Sequence, residues 1–89
     1  MRLDVFIRQT EEAKEKGFWR PNTFVKRYRD LLNEVEQLIG SSLPDYVVED
    51  WAAPEDEREI DATRKAKLTE IILQSNLLVV LVEEALGLK

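Results

Sequence analysis

The chain has 89 residues, 44% hydrophobic and 35% charged, with a formal net charge of −5. This predicts one domain spanning residues 1–89, with enough apolar material for a core and too much for disorder. It contains no cysteine and no histidine, which excludes disulfides, thiolate or imidazole nucleophiles, histidine bases and Cys/His zinc sites. A chain of this size buries only about 60% of its unfolded surface, and many such chains complete their cores on a second subunit.

The first predicted helix covers residues 3–16. Leu3, Phe6, Ile7, Thr10 and Ala13 recur at spacings of three and four and share one face. Gly17 is the natural stop, and Lys14 and Lys16 suit the exposed carbonyls of a last turn. Residues 17–22 then form a tight connection, because Pro21 disfavours helical geometry at Arg20. Asn22 or Thr23 is placed to cap a second helix over residues 23–39. Its stripe is Phe24, Val25, Tyr28, Leu31, Leu32, Val35, Leu38 and Ile39, closed by Gly40. With so short a connection, the two helices are expected to form an antiparallel hairpin.

Residues 40–54 admit two readings. Ser42 followed by Asp45 resembles a capping box for a short helix at 43–50, whereas Tyr46, Val47 and Val48 suit an extended piece. The helix is favoured, since no second strand is available for pairing. A third helix is expected over residues 54–86, with Pro54 at its first position, Glu55, Asp56 and Glu57 at the positive end of its dipole, and Gly87 beyond its end. At about 1.5 Å per residue it reaches about 50 Å, roughly twice either earlier helix. Gln74, Ser75 and Asn76 are its weakest stretch for helix propensity.

The two halves of this third helix differ in kind. Residues 55–67 are mostly charged. Leu77, Leu78, Val79, Val80, Leu81 and Val82 are consecutive apolar residues, and at 100° per residue they cover every side of a helix. One hairpin can enclose only part of such a segment. The expected fold is therefore all-α: a helical hairpin on one long C-terminal helix, with an extra short helix at 43–50. Dimerisation completes the bundle through Ile71, Leu77, Leu78, Val80 and Leu81.

Charge is unevenly laid out. Residues 16–29 hold Lys16, Arg20, Lys26, Arg27 and Arg29 with no acid, whereas residues 41–59 hold seven acids and one base, Arg58. The basic stretch, interleaved with Phe18, Trp19 and Tyr28, is the one feature that resembles a polyanion-binding surface. The overall negative charge works against it. Trp19 and Trp51 fall in predicted loops, as lids on the core or as partner anchors. Glu12-x-x-Glu15 puts two carboxylates on one helix face, but no matching acidic motif faces it, so it reads as solvated surface. The acids around residues 49–61 lack the alternating pattern of a calcium loop. Ser41 and Ser42 have no base to activate them, and no glycine-rich phosphate loop is present.

These features point to a small non-catalytic interaction module, an adaptor, assembly subunit or regulator, that pairs with itself and with a protein partner. No cofactor or metal is implied. A nucleic-acid-binding regulator using residues 16–29, and a minimal magnesium enzyme using helical carboxylates, are the alternatives. No apolar leader follows Met1, and the longest uncharged run, residues 71–82, is too short to span a bilayer, so a cytoplasmic location is expected.

Overall fold

In a computed structural model describing residues 3–17 and 20–87, the chain is a three-helix assembly with no strand among the described residues. Helix α1 is Leu3–Lys16, α2 is Pro21–Ile39 and α3 is Ile60–Leu86. Helix α1 has the bounds its periodicity predicts. Its buried Thr10 hydroxyl donates to the Phe6 carbonyl at 2.7 Å, which satisfies a polar group inside the core. Gly17 closes it with φ 70° while its N–H donates to the Ala13 carbonyl at 2.9 Å.

Helix α2 starts two residues before the expected position. Pro21 occupies the first helical position, where a missing N–H costs nothing, and Arg20 precedes it in an extended conformation with no side-chain cap. Asn22 does not cap because its amide is used elsewhere: Nδ2 donates to the Trp51 carbonyl at 2.9 Å and Oδ1 accepts from the Trp51 N–H at 2.6 Å.

The expected helix at 43–50 does not form. One 3-10 turn, Pro44–Tyr46, is followed by extended backbone. The reason is competition for backbone groups. The Leu43 N–H donates to Glu36 Oε2 at 2.7 Å, the Tyr28 hydroxyl donates to the Tyr46 carbonyl at 2.5 Å, and Arg29 Nη2 donates to the Val48 carbonyl at 3.2 Å. Those partners step backward along α2 as the segment advances, so residues 43–51 form a strap antiparallel to that helix. Val48 is its buried peg.

Helix α3 also starts late, at Ile60 rather than Pro54. The Asp56 carboxylate accepts from the Arg58 N–H at 3.0 Å and grips the Arg58 guanidinium at 3.0 and 3.1 Å. This holds Glu57–Glu59 in a separate 3-10 turn. The helix that remains is about 40 Å long. It is continuous through residues 74–76, where the Ser75 hydroxyl and the Asn76 amide bond back to the Ile71 and Ile72 carbonyls at 2.7 and 3.0 Å.

Both α1 and α2 pack on α3. Lys14 and Glu15 lie beside Lys65 and Thr69, while Leu3 and Asp4 lie beside Val79 and Val82, so α1 runs antiparallel to α3. Phe6 and Phe24 meet across the first two helices with centroids 6.1 Å apart. Val25, Tyr28 and Val35 of α2 join Leu68, Ile71 and Leu78 of α3 in the core. The molecule is elongated, 45 × 23 × 15 Å, and α3 forms its spine.

Candidate functional site

On α3, Leu68, Ile71, Ser75 and Leu78 are buried and mark the side that α1 and α2 cover. The opposite side projects through Ala62, Ala66, Thr69, Leu73, Leu77 and Val80, again at spacings of three and four. No charge interrupts this row. Leu73, Leu77 and Val80 remain 60%, 52% and 47% exposed. Large side chains this exposed, in register on one helix face, form a contiguous apolar ridge rather than scattered surface residues.

The residues expected at a dimer interface divide accordingly. Leu77 and Val80 lie on the ridge. Ile71 and Leu78 do not: both are fully buried within the chain's own core. Leu81 leans onto that core from its edge. The reason is angular, because Leu77 and Leu78 are 100° apart and α1 and α2 reach only one of them. Leu73 is the most exposed member of the ridge. Its spacing to Leu77 and Val80, measured against the inward row, was the signal that could have identified it.

The two ends of the ridge carry different charged residues. Near the start of α3, Arg64, Lys65 and Lys67 accompany one acid, Asp61. Lys65 Nζ lies 3.1 Å from Asp61, Arg64 contacts the same carboxylate, and Lys67 pairs with Glu70 at 2.9 Å. Asp61 is held below the usual carboxylate range, chiefly by the hydrogen bond from Lys65. The far end carries Glu83 and Glu84 with no basic residue in its last turn. A cleft of about 420 Å³ beside the ridge is lined by Glu11, Lys14, Glu15, Lys65, Thr69, Ile72 and Leu73. No group of three or more metal-ligating side chains comes together among the described residues.

The basic stretch is partly committed to the fold. The Arg27 guanidinium lies over the Phe6 and Phe24 rings, 5.2 and 5.4 Å from their centroids, and donates to Gln9 Oε1 at 2.5 Å. Arg29 holds the strap through the Val48 carbonyl and a 3.1 Å pair with Asp50. Lys16, Arg20 and Lys26 are exposed, and the last two border an open cleft of about 560 Å³ with Trp51. Trp51 is half-buried and its indole N–H donates to Thr63 Oγ1 at 3.2 Å, tying the strap to α3. Trp19 lies outside the described residues.

Inside the strap, burial pushes the Tyr28 hydroxyl well above its ordinary titration range, reinforced by Tyr46 and Glu70. The neutral phenol is thereby kept as a donor to the Tyr46 carbonyl. Comparison with protein-family models, curated proteins and solved structures finds no match to the chain. Among the described residues no helix is long and apolar enough to cross a membrane.

Proposed function

We propose that this protein is a small non-catalytic interaction module that associates with itself through the outward ridge of α3, and that it serves as an adaptor, assembly subunit or regulator. The exposure of Leu73, Leu77 and Val80 in one row on an otherwise folded chain carries this reading. Fully burying a leucine or valine is worth about 1.5–3 kcal/mol, and these are already half covered, so each contributes about 1 kcal/mol on pairing. That gain is small beside the cost of association, so pairing through these side chains is weak and favoured by high protein concentration.

The reading is tested by light scattering on wild-type protein and Leu77→Asp at high micromolar concentration. Wild type is expected above the single-chain mass of 10.4 kDa. The variant is expected at that mass with an unchanged helical circular dichroism spectrum. If both run as single chains, the proposal fails. A polyanion role for residues 16–29 has less support, because Arg27 and Arg29 are already engaged within the chain.

A further inference from the structure

The strap sits on the helices as a bound extended peptide would. After the turn at Pro44–Tyr46, residues 47–54 run without helix or strand. They are held in part through their backbone. The Asn22 amide bonds both the N–H and the carbonyl of Trp51, at 2.6 and 2.9 Å, and Arg29 Nη2 donates to the Val48 carbonyl at 3.2 Å. Main-chain bonds of this kind hold an extended segment whatever its sequence, and side-chain contacts add the selectivity. Val48 is a fully buried peg, the Asp50 carboxylate lies 3.1 Å from Arg29, and the Trp51 indole N–H donates to Thr63 Oγ1 at 3.2 Å. Asn22 and Arg29 belong to α2 and Thr63 to α3, so the helices form a seat and the strap is its occupant.

The seat offers more than the strap uses. Because the strap is antiparallel to α2, its continuation past Trp51 points toward the amino end of that helix. The open cleft of about 560 Å³ there is lined by Arg20, Asn22, Thr23, Lys26 and Trp51. Arg20 and Lys26 are exposed and make no ion pair with a described residue. The strap carries acids before Trp51, at Glu49 and Asp50, but follows it with Ala52, Ala53 and Pro54. It also holds its place lightly. Val48 is the only buried residue between Leu43 and Trp51. A segment with one buried side chain and mostly exposed neighbours belongs to the part of a fold that opens locally.

We infer that the seat of the strap is a docking site for an acidic, extended segment of a partner protein, and that the strap closes it in cis. The segment that fits has an aliphatic residue, an acid two positions later and an aromatic ring at the next, as in Val48, Asp50 and Trp51, followed by further acids that meet Arg20 and Lys26. Those added acids are the differential contacts that favour the partner over the strap. The strap competes through the high effective concentration of a tethered segment. No ridge side chain takes part, so the inference stands or falls separately from self-association.

The probe is a labelled synthetic peptide with the sequence of residues 43–51 followed by two aspartates. Its binding to the full chain is followed by fluorescence anisotropy at low salt, and circular dichroism checks that each protein variant folds. Val48→Ala loosens the strap while keeping Asn22, Arg29 and Thr63, and is expected to bind the probe at least about tenfold more tightly than wild type, because the tethered competitor is weakened. Asp50→Asn changes an exposed strap residue and is expected to shift binding the same way by less, which keeps the test open if Val48→Ala does not fold. Lys26→Glu, also at an exposed position, is expected to weaken binding. A probe without the two aspartates is expected to bind less tightly, and one with aspartate in place of the valine peg not at all.

Absence of binding to every folded variant would overturn the inference. Equal affinity for wild type and the loosened variants would place the peptide on another surface, with the same consequence. Indifference to the valine peg, to the two aspartates or to Lys26→Glu would overturn it as well, since the partner would then not be the acidic segment described.

Discussion

Leu77 and Leu78 are the same residue type, adjacent in one helix, and they have opposite environments: Leu78 is fully buried and Leu77 is half exposed. Nothing local separates them. Helix α3 is apolar on all sides through this stretch, so its own periodicity does not say which side is the inside. That is decided by reach, since α1 and α2 together cover one side and none of the described elements covers the other. A helix without a polar face thus takes its inside from its neighbours, and the side they leave is a surface with the composition of a core.

The comparison is broken most sharply by charge. Leu78→Asp is expected to abolish cooperative folding, because an unpaired buried carboxylate costs several kcal/mol against a total stability of order 5 kcal/mol for so small a domain. Leu77→Asp is expected to leave the midpoint of urea unfolding at low protein concentration nearly unchanged. Similar midpoints for both variants would mean that inside and outside are not distinguished as described. Leu78→Ala is the milder version, with an expected loss of about 2–5 kcal/mol in the same measurement.

Gly17 and Gly40 allow a second comparison, at the ends of α1 and α2. Both hold positive φ, at 70° and 78°. A Cβ at Gly17 would lie 3.0 Å from Arg64 Nη2, whereas one at Gly40 would meet nothing within 4 Å. Alanine at either site is expected to cost about 1–2 kcal/mol from the left-handed conformation alone. The loss should be larger at Gly17 unless the Arg64 side chain swings aside, and chemical denaturation of the pair measures the difference.

A smaller effect is expected where the strap meets α2. Tyr28→Phe removes the hydroxyl that holds the Tyr46 carbonyl, at an expected cost of about 1 kcal/mol. Because the folded state raises the pKa of Tyr28 above its ordinary value of 10.0, the unfolded chain loses this proton first as pH rises. The contribution is therefore complete below pH 10 and declines above it. Wild type should lose stability in that range faster than Tyr28→Phe, and parallel slopes would remove Tyr28 from the account. The smallest effect belongs to Asp56→Asn at the exposed start of the last turn before α3, where only a surface pair with Arg58 is lost. Helical content by circular dichroism should be unchanged, with fraying confined to the 3-10 turn Glu57–Glu59.

Much of the fold was legible in the sequence, and the exceptions have a common cause. Helix α1 was read to its ends because its stripe and its Gly17 stop are local signals. The starts of α2 and α3 and the state of residues 43–50 were misread because Asn22, Asp56 and Glu36 use their side chains on partners outside the expected caps. Such choices depend on which backbone groups the tertiary fold brings near. The ridge was half legible. The run from Leu77 to Val82 signalled surplus apolar surface, but Ile71 and Leu78 could be told from Leu73 and Leu77 only once the positions of α1 and α2 were known.

Sedimentation equilibrium of the wild-type chain, followed from low to high micromolar concentration, is the direct test of the ridge as a self-association surface. The account predicts a weight-average mass that rises with concentration from 10.4 kDa toward twice that value, and a flat profile for Leu77→Asp. A wild-type mass that stays at 10.4 kDa across the whole range would contradict it.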